Sequence, residues 1–141
     1  MMDLQAICAG IADAVANRNI PGLTVSHYVP DAPVEPHFFI AEPSIDYDRT
    51  FGKTADLEIV CRLLVGRQDD EASQRLLRKY LSTGTAESIK DAIESGRGGP
   101  GQPALNGACD DLWVRRAERP RWYDHAGTLY LGVDIVVRVV E

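Results

Sequence analysis

The chain is expected to fold as an α+β domain: one antiparallel or mixed β-sheet, with an N-terminal helix and a central split helix packed on its apolar face. Three observations predict this. Ala55 to Val65 and Thr128 to Val140 alternate apolar and other residues with period two, as half-buried strands do. Asp3 to Asn17 repeats apolar residues at spacings of three and four, as a helix with one buried face does. A second helical pattern follows the first long strand and is broken once, at Ser82-Thr83-Gly84. Helices and strands in this order pack as a sheet with helices on one side. At 141 residues the chain fits a single domain with one core.

In the first helix, Leu4, Ile7, Cys8, Ile11 and Val15 share a face, and Asn17-Arg18-Asn19 followed by Pro21-Gly22 ends it. Leu23 to Tyr28 reads as a short strand. Pro30, Pro33 and Pro36 then make a stiff connection that cannot donate ladder hydrogen bonds. His37 to Ala41 reads as a second short strand, stopped near Pro43. Ser44 to Thr54 is polar and turn-rich, with Tyr47 and Phe51 as its large apolar side chains.

The long strand that follows points Leu57, Ile59, Cys61, Leu63 and Val65 one way and Glu58, Val60, Arg62 and Leu64 the other. The second face is mixed, so something should cover part of it. Gly66 ends the strand. Asp69 or Asp70 can cap the next helix, whose apolar stripe is Ala72, Leu76, Leu77, Tyr80 and Leu81. Thr85 is the expected cap of a second short helix, with Ala86, Ile89, Ala92 and Ile93 inward and Gly96 closing it. Arg97 to Pro103 is a flexible loop. Leu105 to Ala117 begins irregularly and becomes a strand near Leu112. Arg119 to Gly127 reads as a hairpin connection with Trp122 and Tyr123 near its tip. The last strand sets Leu129, Leu131, Val133, Ile135, Val137 and Val139 on one face, and its β-branched content supports it.

Composition narrows the function classes. Acids outnumber bases 21 to 15, and a net-acidic chain is a poor sequence-independent binder of nucleic acid. Arg115, Arg116, Arg119 and Arg121 form a local exception, read as a solvated strand end and loop, with a docking site for an acidic partner as the alternative. The apolar runs are too short for a membrane helix. An acid at Asp3, without a basic region and apolar run, argues against a signal peptide. Three widely spaced cysteines, Cys8, Cys61 and Cys109, suggest neither a disulfide framework nor a zinc site. Cys8 and Cys61 read as small core residues, which suits a reducing cytoplasm.

Motifs for chemistry are weak. Asp46-Tyr47-Asp48-Arg49-Thr50 matches the DxDxT pattern of phosphatases with an aspartyl nucleophile, but Glu42-Pro43-Ser44 precedes it where an apolar strand is needed. A charged turn is the better reading. The loop Gly96 to Gly101 lacks the Gly-Lys-Ser/Thr ending of a phosphate loop. His27, His37 and His125 stand apart in sequence, and Asp110-Asp111 reads as a solvated turn. No catalytic, cofactor-binding or metal-ligating residue is nominated. The aromatics Tyr47, Phe51, Trp122 and Tyr123 fall in predicted connections or strand ends. They pack over the rim of the domain's own core or anchor contacts between subunits.

The run IDYDRTFGKTADLEIVCRLLVGRQDDEASQRLLRKYLSTG, then SIKDAIE, then the closing YLGVDIVVRVVE, resembles the tail terminator proteins of siphophages, especially phages of actinobacteria. The opening MDLQAICAGIADAV is similar to the same pattern, so the resemblance covers nearly the whole chain. It implies a small α+β fold that assembles with itself into a ring, usually hexameric, at the head-proximal end of the tail tube in the virion neck. There the ring ends polymerisation of the tail tube protein and offers a joining surface to the head–tail connector or stopper. DNA passes through without specific binding, and neither catalysis, cofactor nor membrane is involved. Such a protein is made in the host cytoplasm. An acidic balance suits a ring through which DNA slides. Tyr47, Arg49, Phe51, Arg119, Arg121, Trp122 and Tyr123 are the residues expected at subunit or partner interfaces, and the glycine loop is a further candidate for contacts. The alternatives are another neck component, such as a head–tail connector or tail-completion protein, and a small hydrolase.

Overall fold

A computed structural model describes residues 3–46, 56–67, 71–99, 101–118, 120–125 and 127–140. Helix α1 (Leu4–Asn17) starts where the Asp3 carboxylate accepts the Ala6 N–H at 3.2 Å, satisfying one of the free donors of the first turn. Ile7, Ile11, Ala12 and Val15 face inward. Strand β1 (Thr24–Ser26) runs parallel to β2 (His37–Asp46). β2 pairs antiparallel with β3 (Asp56–Gly66), and β3 pairs antiparallel with the last strand, β6 (Thr128–Val140). On the far side of β6 lie two strands end to end. β4 (Asp111–Ala117) pairs with the C-terminal half of β6, and β5 (Arg121–His125) with its N-terminal end. The sheet is therefore mixed, with one parallel pair at its edge.

Helices α2 (Glu71–Leu81) and α3 (Ile89–Glu94) join α1 on one face of this sheet. The core between them takes every inward residue of β3, namely Leu57, Ile59, Cys61, Leu63 and Val65, all at most 4% exposed. It takes Leu131, Val133, Ile135, Val137 and Val139 from β6, as the alternation requires. Leu129 departs from that pattern and is exposed, because β6 runs past the end of β3 there.

Several local expectations need correction. β2 does not stop near Pro43 but continues to Asp46. β1 covers its outer side only as far as Phe39, so beyond that point β2 has no outer neighbour among the described residues and tolerates a residue without an N–H. Arg119 to Gly127 is not a connection. Its residues 121–125 form β5, whose His125 pairs with Thr128, and Gly127 beyond it adopts a φ of 85°. Glu118 N–H donates to the Asp134 carbonyl at 2.8 Å, so pairing with β6 continues one residue past the end of β4. Ser88, not Thr85, caps α3. Its buried hydroxyl accepts the Asp91 N–H at 3.1 Å. Thr85 and Ala86 lie in an exposed turn instead, held by the Arg18 guanidinium donating to their carbonyls. Ala72 is exposed, so the stripe of α2 is narrower than its spacing suggests. The proposed caps Asp69 and Asp70 and the turn 47–55 lie outside the described residues.

Gly132 is the one β6 position where a side chain cannot fit. A Cβ there would sit 2.5 Å from the Leu63 carbonyl oxygen and 2.8 Å from Leu64 Cδ2. Replacing Gly132 by Ala is therefore expected to destabilise the fold by about 1–3 kcal/mol through overpacking, measured as a lowered urea midpoint with an unchanged slope.

Candidate interaction surfaces

The face of the sheet opposite the helices is closed by its own side chains. At one end Phe39, Leu64, Tyr123 and Tyr130 form a second apolar cluster, which explains why Leu64 could sit on the mixed face of β3. The connection between β1 and β2 is tied across this end. His125 contacts the Pro30 carbonyl, Arg67 Nε meets Glu35 Oε1 at 3.4 Å, and Pro33 is buried. Farther along, ion pairs cross the strands. Glu58 on β3 faces Arg115 of β4 and Arg138 of β6.

Asp134 is 6% exposed and is the buried acid of the described residues. It accepts from Arg62 Nε at 2.9 Å and from Arg121 Nη2 at 3.4 Å. Both guanidinium groups also lie over the Tyr123 ring, at 4.2 and 4.9 Å from its centroid. A buried carboxylate is tolerated only when paired in this way. Arg62 in turn is raised above its ordinary range, because the hydrogen bond and charge of Asp134 outweigh the burial that opposes them. The Tyr123 hydroxyl is buried and makes no well-formed hydrogen bond among the described residues, the Arg121 guanidinium lying near it without good geometry, and burial pushes its pKa up.

The nearest approach to a catalytic arrangement is Ser26 Oγ at 2.7 Å from His37 Nε2. Its polarity is wrong for activating the serine. The Val34 N–H points at His37 Nδ1 at 3.1 Å, so the neutral ring carries its proton on Nε2 and donates it to Ser26. A nucleophile–base pair needs the reverse: a bare Nε2 and an Nδ1–H held by an acceptor. His27 pairs with Asp13 at 2.9 Å, at a different place. Among the described residues no group of three His, Cys, Asp or Glu could hold a metal ion, and no helix is long and apolar enough to cross a membrane.

The two edges of the sheet differ. On β4 the outward N–H groups are stoppered by carboxylates. Leu112 N–H donates to Asp111 Oδ1 at 2.8 Å, and Val114 N–H to Glu94 Oε2 at 3.0 Å. Each carboxylate is held by a cation, Asp111 by Arg97 at 2.9 Å and Glu94 by Lys90 at 2.8 Å. The Arg97 hydrogen bond holds the Asp111 carboxyl below its usual range. These devices, with the irregular register at Val114/Arg116, blunt the edge against another strand. The glycine loop that carries Arg97 thus takes part in closing this edge, and Asp110-Asp111 is not simply a solvated turn. On β2 the segment beyond Phe39 has no neighbour on its outer side among the described residues.

Of the residues expected at interfaces, Tyr47, Arg49, Phe51 and Arg119 lie outside the described residues. Arg121 is half-exposed beside Asp134. Tyr123 is buried in its own chain, 7% exposed. Trp122 points the other way, pairs with Leu131, and stands 39% exposed beside α2. Arg115 and Arg116 meet Glu58 and Glu118, so that cluster is matched by acids of the same chain. Sequence reasoning missed Asp134, Arg62 and the carboxylates at the β4 edge. Asp134 had a signal, a lone acid amid apolar residues on the strongest strand. No protein-family model matches the chain, and no curated protein matches it.

Removing Asp134 as Asp134→Ala leaves Arg62 and Arg121 without their shared acceptor, and a loss of about 1–3 kcal/mol is expected in chemical denaturation, since both arginines keep access to water. Tyr123→Phe removes an unsatisfied buried hydroxyl and should be neutral or stabilising by up to about 1 kcal/mol in the same measurement. Burial first, then His125, hold His37 below its ordinary 6.5. The unfolded chain therefore takes up this proton before the folded one does. Stability from neutral His37 is full above pH 6.5 and falls as pH drops below it. Denaturation midpoints compared at neutral and mildly acidic pH should show this decline, and His37→Asn should reduce its slope.

Proposed function

We propose that the chain is a structural virion protein, a tail terminator that forms a ring at the head-proximal end of a siphophage tail tube. The observation that carries this reading is the order of elements in which the resembling phrases sit. The N-terminal helix, the long central strand, the split helix and the long closing strand form one continuous one-sided sandwich. The regular parts of the sequence build a scaffold rather than a cleft for chemistry. The Ser26–His37 geometry, set for donation to the serine, removes the most enzyme-like pair from the argument for a hydrolase.

The ring would end tube growth and offer a joining surface to the connector, and its acidic balance would let DNA pass. Adding the purified chain to growing tail tubes tests this directly. Elongation is expected to stop once tube ends are saturated, at amounts far below one copy per tube subunit. Tubes that keep growing with the chain present, while the chain stays monomeric, would sink the reading. Attachment on the portal side instead would favour another neck component.

A further inference from the structure

The exposed large apolar side chains of the described residues gather in two places. One is the segment between β1 and β2, where Tyr28 is 65%, Val29 51% and Val34 64% exposed. The other is the helix side of the β5–β6 hairpin, where Trp122 is 39% and Leu129 56% exposed. Beside Trp122 a cleft of about 360 Å³ opens between α2 and β5, floored by Leu77, Leu81 and Leu131. A single-chain protein rarely leaves such groups in patches without a use for them.

The two places are complementary. The cleft is apolar with an aromatic wall and carries Arg78 on its rim. The segment is apolar and acidic, reading Tyr28-Val29-Pro30-Asp31-Ala32-Pro33-Val34-Glu35. Its prolines limit the backbone, so little conformational freedom is lost when it docks. The segment cannot fill the cleft of its own chain. It is held elsewhere: the Tyr28 hydroxyl accepts from Gln5 of α1 at 2.6 Å, and Pro30 and Glu35 are anchored by His125 and Arg67, while the cleft lies between α2 and β5.

We infer that the Tyr28–Glu35 segment of one copy docks in the α2–β5 cleft of the next. This rests on the ring reading above and deepens it by naming the surfaces. Two different patches meet, so the contact is head-to-tail. Contacts of that kind close into rings when the rotation per subunit allows it. The mode also avoids the β4 edge, which is stoppered against strand pairing. Trp122 is then the central anchor, with Arg78 facing Asp31 across the rim.

Charge exchange tests the pairing at exposed positions that leave the fold intact, which circular dichroism checks. Oligomer mass is read by native mass spectrometry and light scattering over a concentration series. Arg78→Glu and Asp31→Arg, each alone, set like charges against each other and should raise the concentration for half-assembly about 10-fold or more. The double variant, and an equal mixture of the two single variants, should return to within about 3-fold of the original chain. Assembly of the original chain with both single variants unaffected overturns the inference and leaves the ring to another surface. A chain that is monomeric at every concentration, and on tube ends, overturns the ring reading and the inference together.

Discussion

Strand β6 is the constraint on which the rest of the structure depends. It pairs with β3 along one side and with β4 and β5 along the other, so neighbours stand against it on both sides for most of its length. Its inward row packs under the helices, and its outward row carries Tyr130, Gly132, Asp134 and Val136, all buried. A strand buried on both faces admits few residues that are not apolar, and each exception must be accounted for. Gly132 is there because Leu64 and the Leu63 carbonyl occupy the space of a side chain. Asp134 is there with Arg62 from β3 and Arg121 from β5, so one carboxylate fixes the strands on both sides of β6. Burying an ion pair is weak evidence of added stability, but it does discriminate between registers, because a shifted strand would leave the charge unpaired.

Elements whose period is carried by apolar residues were legible in the sequence. α1, β3 and β6 follow their patterns almost residue by residue, and the mixed face of β3 signalled a partial cover, which the structure supplies at Leu64. The misses have physical reasons. β5 hides behind Pro120 and charged neighbours, and only its pairing with β6 makes it a strand. β2 passes Pro43 because no outer neighbour among the described residues needs that N–H, a fact of topology rather than of local sequence. Ser88 outcompetes Thr85 because burial of its neighbours Ile89, Ala92 and Ile93 sets where α3 begins. Trp122 and Tyr123 were picked out together, yet a strand sends adjacent residues to opposite faces. One became core and the other stayed half-exposed.

The surfaces also sort themselves by physical role. The β4 edge is closed with carboxylates, cations and an irregular register, the devices that keep sheets from joining indiscriminately. The helix-free face is knit by ion pairs between its own strands. Apolar side chains are left at the proline-bearing segment and at the cleft beside Trp122, which carry opposite charges. An assembly built from this chain would therefore be specified by a segment-in-cleft contact rather than by extension of the sheet at β4.

The most direct test of the structural-protein account is electron microscopy of assembled phage particles in which this chain carries a small electron-dense or antibody-recognised tag at its C-terminus. The account predicts label confined to the junction of tail tube and neck, with density of closed rotational symmetry there. Particles lacking the label altogether, or carrying it along the tube or on the head, would contradict it.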